Sequence, residues 1–119
     1  MTVLINPLTA QTSNGNLRIP LEHSNLIPRG QGRCFSIGQL RVAVFRQRDD
    51  TFFALENSCP HQGGPLADGV VGAGVVVCPL HSHSFRLADG SGIDTTLHAK
   101  SFPLQICDGF LWIQVGTNT

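Results

Sequence analysis

Two short segments near the middle of the chain each carry a cysteine and a histidine on a tight turn. This arrangement constrains the fold more than any other sequence feature. The first is Cys59-Pro60-His61, and after sixteen intervening residues the second is Cys78-Pro79-Leu80-His81. Together they supply two thiolates and two imidazoles, a donor set that suits zinc or an iron–sulfur centre. We predict that two loops approach one metal centre from opposite sides, with four ligands: Cys59, His61, Cys78 and His81.

The residues that follow His61 help to separate the two kinds of centre. They are Gln62-Gly63-Gly64-Pro65, and glycines let the backbone come close enough for N–H groups to face inorganic sulfides. A zinc site has no bridging sulfides and less need for that approach. The sequence therefore favours an iron–sulfur centre, and a zinc-stabilised binding module without a redox role remains the alternative from a different class.

The rest of the sequence predicts an all-β fold. Val42–Phe45 is apolar at every position, as in a strand packed on both faces. Asp108-Gly109 is a preferred two-residue hairpin turn, and it pairs Cys107 with Phe110 and, further along, Phe102 with Val115. Short strands separated by Gly, Pro and Asp, without a long helical period, predict a small β-sandwich or barrel with a loop-rich insertion at about residues 57–89.

Length and composition predict one domain. The 119 residues are enough for one modest core, which we place over residues 17–119. Residues 1–16 show little periodicity and are expected to form a flexible or loosely docked arm. Eight acidic and eight basic residues balance to zero, which provides no basic field for nucleic acid or an anionic membrane.

The location of the protein is predicted from its apolar runs and its first residues. No run approaches the roughly 20 apolar residues that span a bilayer, and the first ten residues do not resemble a secretory signal. We therefore expect the cytoplasm, where thiols stay reduced and closely spaced Cys and His residues bind metal more often than they form disulfides. Cys34 and Cys107 have no such neighbours and are expected to be small apolar fillers.

The ligand segments resemble the two ligand boxes of Rieske iron–sulfur proteins. The resemblance rests on Cys59–Leu66, Cys78–His81 and Phe85, and it extends over about residues 27–115. It implies a Rieske-type 2Fe–2S cluster, with Cys59 and Cys78 on the inner iron and His61 and His81 on the outer one. It also implies an electron-transfer role, with no bond chemistry on an organic substrate and no catalytic residue.

Departures from the high-potential Rieske proteins indicate a subclass. Those proteins carry an extra disulfide between the ligand loops, whereas the corresponding positions here are Gly64 and Leu80. They also use a tyrosine and a serine near the cluster, whereas this chain has no tyrosine and has His83 near the serine position, where we expect it to be exposed. Fewer hydrogen bonds to sulfur imply a potential of roughly −150 mV rather than +300 mV.

Two low-potential subfamilies fit this chain. The small subunit of assimilatory NADH-type nitrite reductases is favoured, because the segments Pro28–Arg33, Val42–Arg46 and Cys59–Gly72 resemble it. Its partner would be the large reductase subunit. Ferredoxins of aromatic-ring dioxygenase systems share the ligand boxes and are the alternative, with a reductase and an oxygenase as partners.

Overall fold

A computed structural model describes residues 2–13, 16–60, 63–80 and 82–116 of the chain. Strands dominate this part, joined by turns and three short 3₁₀ segments. The prediction of an all-β fold with a loop-rich insertion is confirmed. The strands in chain order are β1 (Thr2–Ile5), β2 (Gln11–Ser13), β3 (Asn16–His23), β4 (Gln31–Ile37), β5 (Leu40–Arg46), β6 (Phe52–Glu56), β7 (Val70–Gly72), β8 (Val75–Val77), β9 (Ser84–Arg86), β10 (Ser101–Phe102), β11 (Leu104–Cys107) and β12 (Phe110–Gly116).

The described strands form three sheets. The largest has the order β1-β4-β5-β6-β10, a second has the order β11-β12-β3-β2, and the smallest is β7-β8-β9. All pairings are antiparallel except that of β1 with β4. The smallest sheet lies in the segment between β6 and β10, which also carries both ligand loops.

The central strand β5 is apolar on both faces, as predicted, and each face belongs to a different core. Val42, Ala43, Val44 and Phe45 are all fully buried. Val42 and Val44 pack with residues of β3 and β12, in a cluster that we call the base core. Ala43 and Phe45 pack with Cys59, Cys78 and residues of β8 and β9, in a cluster that we call the loop core. The largest sheet therefore separates the base core from the loop core.

The predicted C-terminal hairpin is confirmed around its turn and wrong at its far end. Cys107 pairs with Phe110 and Leu104 pairs with Ile113, as the Asp108-Gly109 turn requires. Phe102, however, leaves this hairpin and pairs with Ala54 of β6. Pro103 lies between the two pairings, and its carbonyl accepts a 3.0 Å hydrogen bond from the Gln114 N–H. Because proline has no N–H, the ladder cannot continue through it, and the chain passes into the largest sheet.

The described part of the N-terminal segment contributes strands to two sheets. β1 runs parallel to β4, with Thr2 opposite Cys34 and Ile5 opposite Ile37. β2 forms a hairpin with β3. These pairings use backbone hydrogen bonds, which a weak side-chain pattern does not reveal. The mobility of residues 1–16 and the domain boundary at residue 17 stay predictions. In the described part of the chain, no helix is long and apolar enough to cross a membrane.

Candidate metal centre

The first ligand loop begins where β6 ends and closes on itself. The Cys59 N–H donates a 2.8 Å hydrogen bond to the Gly64 carbonyl, and the Gly63 N–H donates a 2.7 Å bond to the Cys59 carbonyl. Gly63 has a positive φ of 73°, which glycine adopts without steric cost. The Gly63 N–H is thus used inside the loop, and it is not one of the N–H groups predicted to face sulfides.

The second ligand loop joins β8 to β9 and closes in the same way. The Cys78 N–H donates a 2.7 Å hydrogen bond to the His83 carbonyl, five residues further on. In the first loop the distance along the chain from Cys59 to Gly64 is also five residues. After the cysteine, the Leu80 N–H points back at the Cys78 Sγ, with a donor–acceptor distance of 3.4 Å. An N–H group on a ligand sulfur is thus present, supplied by the second loop.

The two loops bring the cysteine sulfurs together at the edge of the loop core. Cys59 and Cys78 are 2% and 1% exposed, and both side chains belong to the loop core. Gly64 makes this approach possible. A Cβ added at Gly64 would lie 2.9 Å from the Cys78 Sγ and 3.2 Å from the Leu80 Cβ. Only a residue without a side chain fits between the loops without displacing a neighbour.

The surroundings of the Cys78 sulfur oppose a bare thiolate. Burial raises the pKa of the Cys78 thiol, and the neighbouring Cys59 sulfur raises it further, while the Leu80 N–H lowers it. A metal ion reverses this balance, because its positive charge deprotonates a coordinating thiol. Two buried thiols that are free of disulfides and supplied by separate loops therefore fit the cysteine half of a 2Fe–2S site.

The structure describes two of the four predicted ligands. It brings Cys59 and Cys78 together, whereas His61 and His81 lie outside the described residues. The assignment of all four residues as ligands therefore stays a prediction.

Three other residues that the sequence analysis singled out have distinct surroundings. Cys34 is buried in the loop core, as predicted for a filler. Cys107 is exposed at the end of β11, so that prediction is wrong: a position in a strand does not determine which face is covered. His83 is half-buried rather than exposed, with its Nδ1 3.9 Å from the Asp94 Oδ1.

Asn57 is a residue of this region that the sequence analysis missed. Its side-chain Oδ1 accepts a 2.7 Å hydrogen bond from the Ala67 N–H, and its Nδ2 donates to the Cys34 Sγ at 3.1 Å. The available signal was its position two residues before Cys59, at the end of a strand, where asparagine side chains often bond to nearby backbone.

Comparison with protein families identifies the fold and its cofactor. The model of the Rieske-like [2Fe-2S] domain matches residues 19–114. The chain is 35% identical over 81 residues to the anthranilate 1,2-dioxygenase ferredoxin subunit of Burkholderia cepacia, which covers 66% of this chain and 74% of that protein. It is 34% identical over 86 residues to the oxygenase component of dicamba O-demethylase from Stenotrophomonas maltophilia. That match covers 63% of this chain and 24% of the oxygenase component, so the chain spans about a quarter of that relative's length.

Comparison with a solved structure also supports the Rieske-like fold. The chain superposes with a TM-score of 0.78 on a protein described as the small subunit of an NADH-dependent nitrite reductase from Mycobacterium tuberculosis. The match covers 83% of this chain and 95% of that one, at 22% identity, and it speaks for the fold alone. The family model describes a 2Fe–2S domain, so the zinc alternative loses its support. The chain belongs to the Rieske-like 2Fe–2S family, and it is an electron-transfer domain that carries a Rieske-type cluster.

Proposed function

We propose that this chain passes single electrons to the large subunit of an assimilatory NADH-type nitrite reductase, through a cluster held by Cys59, His61, Cys78 and His81. The observation that carries the ligand assignment is the meeting of the buried Cys59 and Cys78 sulfurs between two loops that close in the same way. The cluster supplies one-electron chemistry when bound. The chain's contribution is to hold it, to limit water around it and to leave one side open to a partner.

The described residues of the ligand loops suit a docking role. Leu80 lies on the second loop next to the Cys78 sulfur, and its side chain is 44% exposed. Ile93 is 48% exposed, and its N–H donates to the Ser84 carbonyl just beyond that loop. Apolar side chains that reach solvent beside a redox centre can be covered by a partner, and the contact would exclude water from the electron's path.

The choice of partner follows the fold and the segments that resemble nitrite reductase small subunits. The superposition on the protein from Mycobacterium tuberculosis is compatible with this choice, although it shows the fold alone. A second candidate is the ferredoxin component of an aromatic-ring dioxygenase system. It is favoured by the 35% identity to the anthranilate dioxygenase ferredoxin subunit. Both candidates are carriers of single electrons, and they differ in the protein that receives the electron.

The first experiment tests the ligand set. Anaerobically purified protein is examined by absorption and by electron paramagnetic resonance before and after dithionite. We expect a red-brown oxidised form and a reduced signal with an average g value below that of all-cysteine ferredoxins. Alanine at any one of the four proposed ligands should abolish that signal. His98→Ala and Cys107→Ala change exposed residues of the same types and serve as matched controls.

Two results would contradict the ligand assignment. One is a wild-type protein that is colourless and contains zinc without iron or sulfide. The other is a His61→Ala or His81→Ala variant that keeps the wild-type signal. The same samples give the midpoint potential by redox titration, for which we expect roughly −150 mV. A value near the upper end of the Rieske range would contradict the low-potential subclass.

The second experiment tests the partner. The reduced protein is mixed in a stopped-flow instrument with a nitrite reductase large subunit and, separately, with the oxygenase of an aromatic-ring dioxygenase. Reoxidation is followed through the cluster absorbance. We expect fast, saturable electron transfer with the nitrite reductase subunit and slow transfer with the oxygenase. The reverse order would replace the first candidate by the dioxygenase ferredoxin.

A further inference from the structure

The Asn57 side chain connects the start of the first ligand loop to Ala67, which follows the loop, and to Cys34 of β4. Its two polar atoms are both used: Oδ1 accepts from the Ala67 N–H at 2.7 Å, and Nδ2 donates to the Cys34 Sγ at 3.1 Å. The Ala67 N–H can only donate, so it fixes the orientation of the amide and directs Nδ2 towards the sulfur. One side chain thus joins β4 to the segment that follows the loop.

The backbone of Asn57 adds a third connection. Its N–H donates a 2.9 Å hydrogen bond to the Arg41 carbonyl, which extends the pairing of β5 with β6 by one residue. Asn57 is therefore fixed to β5 by its backbone and to β4 by its amide. Cys59 begins the loop two residues later, and Ala67 lies just beyond its end in the 3₁₀ segment Leu66–Asp68.

The partners of Asn57 are held rigidly. Cys34 is 7% exposed, Ala67 is 8% exposed, and both belong to the loop core that contains Cys59 and Cys78. A polar cavity of about 290 Å³ opens beside this bridge, lined among others by Cys34, Asn57, Pro65 and Ala67. Pro65 is exposed on the side of the loop that lines this cavity, and the amide bridge ties the chain beside it to β4.

We infer that Asn57 is a positioning residue for the cluster, which acts by fixing the first ligand loop through Cys34 and Ala67. The inference rests on the proposed function, because it takes Cys59 as a ligand. The Cys34 thiol is then more than a filler: it is the acceptor that anchors the amide to β4. Without the bridge, the loop gains freedom on its cavity side, and Cys59 is held less firmly at the metal.

The test measures the rate of cluster loss and the g values of the reduced cluster. Wild-type and variant proteins carrying the cluster are incubated with an iron chelator, and the visible absorbance is followed. Removal of a hydrogen bond to a buried group changes an equilibrium by about tenfold, so Asn57→Ala should lose its cluster roughly ten times faster than wild type. Its reduced electron paramagnetic resonance spectrum should show altered g values, because the ligand geometry has changed.

A matched control separates positioning from general stability. Gln47 also bridges two segments with its side chain: its Oε1 accepts from the Gly74 N–H at 2.6 Å, and its Nε2 donates to the Thr51 Oγ1 at 2.8 Å. Gln47→Ala removes that bridge from the turn between β7 and β8, away from the first ligand loop. It should lower the melting temperature but leave the g values and the rate of cluster loss close to those of wild type.

The Cys34 variants test the same bridge from its other end. Cys34→Ala removes the acceptor for Nδ2 and leaves the bond to Ala67 intact, so it should accelerate cluster loss by a smaller factor than Asn57→Ala. Cys34→Ser restores an acceptor and should return the rate towards wild type. If Asn57→Ala does not fold, Asn57→Asp replaces it. This variant keeps an oxygen that accepts from the Ala67 N–H, but it has no donor for the Cys34 Sγ. It therefore breaks the same hydrogen bond that Cys34→Ala breaks from the other side.

The outcomes distinguish this inference from the proposed function. A wild-type protein without the mixed-ligand signal overturns the proposed function, and the inference falls with it. A wild-type protein with that signal, together with an Asn57→Ala variant of unchanged g values and unchanged cluster loss, overturns the inference alone. An equal acceleration in Gln47→Ala and Asn57→Ala also overturns it, because the effect would then report general loosening of the fold.

Discussion

At the scale of single residues, the site requires a residue without a side chain at position 64. The Cys78 sulfur and the Leu80 side chain leave no room for a Cβ at this position. In the high-potential Rieske proteins, the disulfide joins cysteines at the positions that correspond to Gly64 and Leu80. In this chain, a Cβ added at Gly64 would lie 3.2 Å from the Leu80 Cβ. The positions face each other in this chain too, although close packing of the two loops takes the place of a covalent bond.

The first prediction follows from that packing. Gly64→Ala would place a methyl group 2.9 Å from the Cys78 Sγ, so the loops must move apart. Overpacking of this kind costs about 1 to 3 kcal/mol, which corresponds to roughly 5-fold to 150-fold in cluster retention. We expect lower iron content and faster cluster loss, measured by iron analysis and by absorbance decay in chelator.

Gly72→Ala is the matched control for this change. Gly72 lies in β7, and an added Cβ there meets nothing within 4 Å. It should therefore keep wild-type iron content and wild-type cluster loss. A Gly64→Ala variant that behaves like Gly72→Ala would show that the loops tolerate the extra methyl group and that their close approach is not required.

At the scale of elements, β5 is the wall between two cores. Alternate side chains of a strand point to opposite faces, so Val44 enters the base core and Phe45 enters the loop core that contains Cys59 and Cys78. A single run of apolar residues thus contributes side chains to both cores. The strand is held on both sides by antiparallel pairing, with β4 and with β6.

The second prediction uses these two faces of β5. Val44→Ala and Phe45→Leu each remove apolar volume from a fully buried position, and each should reduce the free energy of unfolding by about 1 to 3 kcal/mol. Only Phe45→Leu loosens the packing behind the cysteine sulfurs, so only this variant should also lose its cluster faster. Denaturant unfolding and chelator-driven absorbance decay measure the two effects. Equal cluster loss in both variants would mean that the two cores are coupled through β5.

At the scale of the whole molecule, the fold divides into the base core and the loop core, and the proposed cysteine ligands belong to the second. The base core is closed by strands of the two larger sheets, with apolar contacts that do not involve the ligand loops. The loop core contains the two cysteines themselves. Burial raises the pKa of the Cys78 thiol in this setting, and a metal bound there, as proposed, would stabilise the loop core as well as carry the electron.

The third prediction concerns removal of the metal. When the cluster is removed by chelation under reducing conditions, we expect the base core to stay folded and the ligand loops to lose order, because only the loop core loses ligand bonds. Hydrogen–deuterium exchange should show reduced protection over residues 57–69 and 76–87 and unchanged protection in β3 and β12. A uniform loss of protection across all sheets would show instead that the domain folds as one unit with its metal.

The sequence by itself determined the chemistry of the site and the class of the fold. Cysteine and histidine spacing and the Asp108-Gly109 turn act locally, over a few residues. The first predicted a metal centre and the second predicted a hairpin, without knowledge of distant neighbours. The all-β class follows from the same kind of local signal, since strand length and turn residues are read from short windows.

The tertiary structure decided what depends on residues far apart in the chain. The bridge from Asn57 to Cys34 joins residues that are 23 positions apart, and the parallel pairing of β1 with β4 joins segments on either side of β3. Phe102 leaves the hairpin because β6 offers backbone partners that the local pattern does not contain. Burial of Cys34 and exposure of Cys107, two cysteines in strands, likewise depend on what covers each face. Such features follow from the packing of whole sheets, which no short stretch of sequence encodes.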